Sequence, residues 1–331
     1  MSQFNVLIFT RLALGVANPS VQRMRTEFLI NGPYNSLAKQ TDQRFEWYVL
    51  ADDLLEQETE DRIQKVFRAH GNFHLRRRST FDKRERIVQV DDRLSRKRKG
   101  TDAGVVQVRL DDDDLLNLSY VESLRQEVSV HGAASLPCAI AYRNGLIASP
   151  EVEKVKRHAM EACSAGLALY TPDPSQFSLN RSHMSLHETI QEDGGISRIV
   201  DNPEPMWCQV AHSHSESREH TGVRRIERTE LGDDAKGIAD LKYRMERFGV
   251  THEFLGTYAK ILKADISGRP SLLRALGWKK YPRIKRMQIK REILEIAKEI
   301  DREVARGKLP EAQEKRLRYR LDVLRECFYA F

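Results

Sequence analysis

The segment 105–114 constrains this chain most, because Val-Val-Gln-Val-Arg-Leu delivers four consecutive aspartates to one place. Residues 105–110 favour a strand, and the acids begin where that strand should end. Ligands of open α/β sheets bind outside the carboxyl ends of strands, so carboxylates there suit a hard divalent cation and a phosphorylated ligand. In an extended chain successive side chains point to opposite sides. Asp111 and Asp113 are therefore expected on one side, with Asp112 and Asp114 on the other. Four unneutralised carboxylates repel strongly at short range; a divalent cation offsets that cost, whereas a solvated loop only reduces it. The same run also suits an acidic N-terminal cap on a helix predicted over 115–130, where carboxylates complement the helix dipole. Both readings stand on the run alone.

A length of 331 residues allows one large α/β domain or two smaller ones. With 31% charged and 40% hydrophobic residues, wholesale disorder is excluded. No stretch approaches the ~20 apolar residues of a membrane span. Residues 1–14 lack a basic region followed by a cleavable apolar core, so a cytoplasmic location is expected. Cys138, Cys163, Cys208 and Cys327 lie far apart, without the paired spacing of a zinc or redox site, and read as buried reduced thiols. The net charge of +7 invites nucleic acid or anionic membrane as a partner. Its sources are Arg76, Arg77 and Arg78, then 93–99, then 279–320; the first two clusters are expected in loops.

Along the chain, a buried strand over 5–10 leads into Arg11 and a loop with Gly15, Asn18 and Pro19. A helix follows over 21–37, interrupted by Gly32 and Pro33. A second strand, 46–50, ends at Asp52 and Asp53, giving another acidic strand terminus. Then come a helix over 58–69, a strand over 86–90 and an exposed loop over 91–104. Asn144 and Gly145, between apolar segments, signal a hairpin over 138–147. A helix is predicted over 153–165, a strand over 168–171 and an apolar run over 207–211 that leads to His212, His214 and His220. From about 245 the chain turns helical and basic. Ile289, Ile293, Ile300 and Val304, then Leu317, Leu321, Leu324 and Phe328, describe a helical hairpin broken at Gly307 and Pro310.

The order of strand, Arg11 loop, helix, acid-ended strand and central strand ending in Asp-x-Asp resembles the GT-A glycosyltransferases. At closer range the chain resembles the bacterial rhamnosyl transferase family. The residues that carry this are Thr10 and Arg11; Ser36 and Leu37 with Gln40 and Thr41; Phe45 and Trp47; Arg109 through Asp114; Tyr120 and Val121; and Met206, Trp207, Gln209 and Val210 leading to His212. The resemblance implies an α/β fold, a GT-A-like, Rossmann-related mixed sheet flanked by helices, with a C-terminal helical appendage. The expected division is a transferase domain over 1–245, with a donor half to about 130 and an acceptor half beyond it, and a basic helical region over 246–331.

The resemblance also implies a nucleotide-sugar donor, a dTDP- or GDP-linked deoxysugar being the leading suggestion, whose diphosphate is bound through Mn²⁺ or Mg²⁺. This agrees with the residues, since carboxylate oxygens suit hard cations that neutralise a leaving diphosphate. Asp113 is the first choice for metal ligation, Asp114 the competing ligand, and His212 completes the shell or contacts the diphosphate. Asp111 reaches the ribose or a metal-bound water. Arg11, Asp52, Asp53, Arg109 and Asp112 join the donor site; Arg11 pairs with phosphate or with Asp52. Where the family tends to follow its histidine with Gly-Gly-Asn, this chain has Ser213, His214, Ser215 and Glu216. An inverting transferase needs a carboxylate to deprotonate the acceptor hydroxyl, and Asp193 before Gly194 and Gly195 is the candidate base among Glu188, Glu192 and Asp193.

The expected acceptor is a saccharide or bacterial surface polysaccharide. The basic C-terminal helices, with Trp278 and Tyr281 beside Lys279 and Lys280, suit either a solvated face or peripheral contact with anionic lipid at the inner face of the membrane. Two other classes compete: a nucleic-acid-binding protein using the basic segments, and an adaptor that retains the fold without catalysis. Against the first, the aromatics do not interleave with the basic clusters and no helix-turn-helix or zinc pattern appears.

Overall fold

A computed structural model describes residues 4–13, 19–52, 55–78, 104–131, 136–150, 154–160, 163–173, 186–212, 245–251 and 253–267, with 298 and 302. Among them, β1 (Phe4–Leu12), β2 (Glu46–Asp52), β3 (Phe73–Arg78), β4 (Gly104–Arg109), β6 (Cys138–Tyr142), β9 (Leu167–Thr171) and β10 (Ile196–Val200) form a seven-stranded sheet. A four-stranded sheet comprises β5 (Leu115–Leu116), β7 (Asn144–Ser149), β8 (Lys154–Ala159) and β11 (Trp207–Val210). Helices α1 (Pro19–Asn31), α2 (Pro33–Ala38), α3 (Gln57–Phe67), α4 (Tyr120–His131), α5 (Leu186–Glu192) and α6 (Phe254–Ser267) accompany them. The expected α/β architecture, a mixed sheet accompanied by helices, is thus observed.

The large sheet has the order β10-β6-β9-β4-β1-β2-β3. β1 pairs in parallel with both β2 and β4, so the chain steps to one side of β1 for β2 and to the other for β4. This reversal is the topological switch point at which open α/β sheets leave a crevice beyond their carboxyl ends. β9 is the antiparallel strand, inserted between β4 and β6. The central strands are apolar on both faces: Val6, Leu7, Ile8, Phe9, Val105, Val106 and Val108 are all buried. α1 and α2 separate at Pro33, which lacks the N–H that would continue the helix but suits a first helical position.

Many of the residues that carry the resemblance brace this frame. The Trp47 indole N–H donates to Thr10 Oγ1 at 3.0 Å, tying β2 to β1. Gln40 bridges α2 to the start of α4: its amide donates to the Asn117 carbonyl at 2.7 Å and its carbonyl accepts the Val121 N–H at 3.0 Å. The Trp207 indole donates to the Tyr142 carbonyl at 2.8 Å, joining the two sheets.

Several local expectations are corrected. Residues 115–116 are not helical: they form β5, paired antiparallel with β11, and the helix begins only at Tyr120, so the acid run caps no helix. Asn144 and Gly145 do not turn a hairpin. β6 ends in one sheet and β7 starts in the other, with Asn144 held by Asp201 and by the Asn202 carbonyl. Gly145 is required because the Trp207 ring occupies the place of a Cβ. The helix predicted over 153–165 is in part β8, where antiparallel pairing with β7 overrides helix propensity. Arg76, Arg77 and Arg78 lie on β3 rather than in a loop, and Arg77 pairs with Glu60 and donates to the Leu55 carbonyl. β3, α5 and β10 had no counterpart in the sequence reading. The strand predicted over 86–90, nearly all of the loop over 91–104, Cys327 and the C-terminal hairpin lie outside the described residues.

α6, assigned from sequence to the C-terminal region, packs into a core shared with α1 and the small sheet. Phe254, Leu255, Tyr258 and Leu262 meet Val21, Met24, Phe28, Leu146 and Val210. Cys138, Cys163 and Cys208 are buried and free. No helix among the described residues is long and apolar enough to cross a membrane.

The Gly145–Trp207 contact predicts that Gly145→Ala lowers stability by about 1–3 kcal/mol through overpacking, read by chemical denaturation. An unchanged midpoint would show that the ring relaxes at no cost.

Candidate functional site

The site is built where β1, β2 and β4 end together. β4 stops at Arg109, the Leu110 N–H still donates to the Phe9 carbonyl at 3.0 Å, and the chain then turns, with the Asp114 N–H directed to the Asp111 carbonyl at 3.3 Å. The acids therefore lie on a turn, and the side-to-side alternation expected of an extended run fails. Asp111 stays half-exposed, 3.5 Å from the Arg109 guanidinium. Asp112, Asp113 and Asp114 are buried.

Each buried acid has its own partner. Arg25 on α1 donates to Asp112 Oδ1 at 2.8 Å and to Asp113 Oδ2 at 3.3 Å. His212, fully buried just past β11, places Nε2 2.9 Å from the same Asp113 Oδ2. Asp114 Oδ1 accepts the Val210 N–H of β11 at 3.0 Å, while its Oδ2 is buried without a hydrogen-bond partner among the described residues. The turn is thus braced from α1 on one side and β11 on the other.

His212 is held by more than the acid. The Ala211 N–H donates to the Ala148 carbonyl at 2.8 Å, extending the β11–β7 pairing up to the histidine. Its ring packs against Phe28 at 4.8 Å, and Phe28 stacks on Tyr258 of α6 at 4.4 Å. The Tyr258 hydroxyl donates to the Phe28 carbonyl at 2.7 Å. Arg25 and Phe28, three residues apart on α1, therefore face the same turn.

Burial sets the electrostatics. It pushes the Asp113 carboxyl up to about 6, against the pull of Arg25 and with the help of Asp111. Asp112 is pushed up to about 7, again chiefly by burial, with Arg25 opposing and Asp113 and Asp111 reinforcing. Asp114 is raised well above the usual carboxylate range by burial and by the neighbouring charge of Asp113. Of the three buried acids, Asp112 and Asp113 share the Arg25 guanidinium, while Asp114 is met by the Val210 N–H.

A divalent cation places a geometric requirement on this donor set. For metal–ligand distances of about 2.1 Å, two adjacent octahedral ligands stand about 3.0 Å apart. The 2.9 Å between Asp113 Oδ2 and His212 Nε2 matches that edge. Among the described residues no three groups from His, Cys, Asp and Glu converge as a complete metal shell. The pair, hydrogen-bonded in this structure, would supply two positions of such a shell and leave the others to ligand oxygens and water.

Other residues expected at the site fall into three groups. Arg11 is the penultimate residue of β1, in register with Leu50, and Asp52 ends β2 in register with Arg78, so both stand at the carboxyl edge beside the acid turn. Asp53, His214 and His220 lie outside the described residues. Asp193 follows α5, just before β10, and Ile196 pairs with Cys138 at the start of β6. β10 and β6 run parallel to β4, so Asp193 stands at the amino end of the sheet, opposite the acid turn. His187 packs with its Nδ1 2.7 Å from Ser197 Oγ. Sequence reasoning missed Arg25 and Phe28; the available signal was a charged residue beside the helically spaced apolar residues Val21, Met24 and Phe28.

The buried carboxyl of Asp114 predicts that Asp114→Asn, which keeps an acceptor for Val210, leaves thermal stability unchanged or higher. Asp114→Ala, which leaves that N–H unpaired, lowers it by about 1–3 kcal/mol. Equal loss in both variants would show that the charge itself is needed.

A family model described as putative rhamnosyl transferase matches residues 22–224, more than half of the chain. No curated protein matches. Among solved structures, S. aureus TarS is similar at 14% identity and a TM-score of 0.41, over 82% of this chain and 50% of that one. This chain thus spans half the length of that protein. S. aureus TarS 1–349 in complex with UDP-GlcNAc is similar at 12% identity and a TM-score of 0.40, over 98% of this chain and 88% of that one. The mannosyltransferase PcManGT from Pyrobaculum calidifontis, in complex with GDP-Man and Mn2+, is similar at 11% identity and a TM-score of 0.40, over 98% and 86% respectively. With its acid turn inside the matched segment, the chain belongs to the putative rhamnosyl transferase family, a family of glycosyltransferases.

Proposed function

We propose that this chain transfers a sugar, with rhamnose as the first candidate, from a nucleoside diphosphate donor to a saccharide acceptor with inversion. The observation that carries the reading is the Asp113–His212 pair, 2.9 Å apart at the carboxyl edge beside the β1/β4 switch point. Family membership supplies the reaction class. Asp113 and His212 would hold Mn²⁺ or Mg²⁺, which when bound neutralises charge developing on the leaving diphosphate. Asp111 and Arg109, half-exposed on the near side of the turn, would meet the ribose and phosphates. Arg11 and Asp52, at the ends of the neighbouring strands, would border the nucleotide. A dTDP- or GDP-linked deoxysugar is the first donor to test.

In the transfer itself the acceptor hydroxyl oxygen bonds to the anomeric carbon as the bond to the diphosphate breaks, and the hydroxyl proton passes to a base. The placement of Asp193 at the far end of the sheet argues against it as that base, and no other residue is assigned. Donor-site burial would exclude water and strengthen each charge interaction there.

Calorimetric titration of UDP, GDP, dTDP and their sugars tests the reading, with and without Mn²⁺. Manganese-dependent binding of one nucleotide is expected, weakened by about 100-fold or more in folded Asp113→Ala and His212→Ala, above the 10–100-fold typical of outer-shell partners. Because the Asp113 carboxyl sits near 6, the cation must displace a proton below that pH. Affinity should then fall as the pH is lowered through about 6. Binding of no nucleotide by the folded wild type would remove the proposal.

A further inference from the structure

Arg25 lies outside every segment whose sequence suggested acid or metal chemistry, yet it contacts two of the four acids. Its side chain is only 12% exposed, and its guanidinium is closer to Asp112 Oδ1, at 2.8 Å, than to Asp113 Oδ2, at 3.3 Å. That second oxygen is the one that His212 Nε2 approaches to 2.9 Å. A cation using the Asp113–His212 edge must therefore share its carboxylate oxygen with a fixed guanidinium. Two positive charges on one oxygen repel unless a further anion arrives.

We propose that Arg25 is a positioning residue that makes metal occupancy depend on the donor diphosphate. It keeps Asp112 turned away as an ion-pair partner and competes with the metal for Asp113 Oδ2. A bare divalent cation then binds weakly. A cation accompanied by a diphosphate binds well, because the phosphate oxygens compensate the guanidinium and complete the coordination. Both contacts come from the one nitrogen Nη1, so the task needs a fixed positive charge rather than a two-pronged grip, and lysine can retain it. The fold supports the placement: α1 is fixed by the Phe28–Tyr258 stack one turn further on, so Arg25 cannot follow the acids freely. This inference rests on the donor-site reading above.

The test uses the full chain, Mn²⁺ followed by electron paramagnetic resonance, and the nucleoside diphosphate among UDP, GDP and dTDP that binds the wild type. In Arg25→Gln, Mn²⁺ alone should bind at least tenfold tighter. The factor by which Mn²⁺ and the diphosphate strengthen each other, which is the same measured from either side, should fall at least tenfold. Arg25→Lys should keep the weak bare-metal binding of the wild type. A purely structural role would weaken both ligands and could not tighten the bare metal. If Arg25→Gln does not fold, Asp112→Asn frees the guanidinium onto Asp113; bare Mn²⁺ should bind several-fold more weakly and the mutual strengthening should grow. Unchanged or weaker bare Mn²⁺ binding in folded Arg25→Gln, or an unchanged mutual factor in Asp112→Asn, overturns the role of Arg25 while the donor site stands. Absence of any Mn²⁺-dependent nucleotide binding in the wild type overturns the donor site and this inference together.

Discussion

Three buried carboxylates on a single turn constitute the constraint around which this structure is arranged. An isolated ionised carboxylate is very costly to bury, so each must be paired, hydrogen-bonded or neutral. Here all three solutions are used. Arg25 bridges Asp112 and Asp113, His212 meets Asp113, and Asp114 accepts a backbone N–H while burial favours its neutral form. Each solution draws in a different part of the chain. α1 supplies the guanidinium, β11 supplies the N–H and the histidine, and α6 stacks on Phe28 behind them. The acid turn leaves β4 of the large sheet and is neutralised from α1 and from β11 of the small sheet, so it ties the two sheets together.

That arrangement also explains why the signature of the family is spread so widely. Gln40, Trp47, Thr10 and Trp207 make no chemistry; they fix the distances between α2, β1, β2, β6 and β11. A site needing sub-ångström placement of an oxygen and a nitrogen depends on such bracing. The rhamnosyl transferase match runs from residue 22, within α1, to residue 224, and so includes the four acids with Arg25, Gln40, Trp47, Trp207 and His212, but not Thr10 or Tyr258.

How much of this was legible in the sequence follows from the range of each interaction. The β-branched run before Asp111 and the apolar run before His212 announced their strands, because buried parallel strands need continuous hydrophobicity. The break between α1 and α2 was marked by Pro33. The path of the acid run was not legible: alternation presumes an extended chain, and the turn is stabilised by Arg25, 87 residues away from Asp112. The same applies to β8, whose helical composition yields to pairing with β7, and to Gly145, which looks like a turn glycine but makes room for a tryptophan 62 positions later. Asp193 was chosen for its loop-like neighbours, whereas strand direction decides which end of the sheet it occupies, and direction is a property of topology rather than of local sequence.

The central claim is that Asp113 and His212 share one divalent cation with a nucleoside diphosphate. Anomalous diffraction from crystals grown with Mn²⁺ and the bound nucleotide tests this most directly. The account predicts one manganese peak about 2.1 Å from both Asp113 Oδ2 and His212 Nε2, with diphosphate oxygens in the same shell. A manganese peak at another place, or nucleotide bound at this edge with Arg25 still bridging Asp112 and Asp113 and no metal between Asp113 and His212, would contradict it.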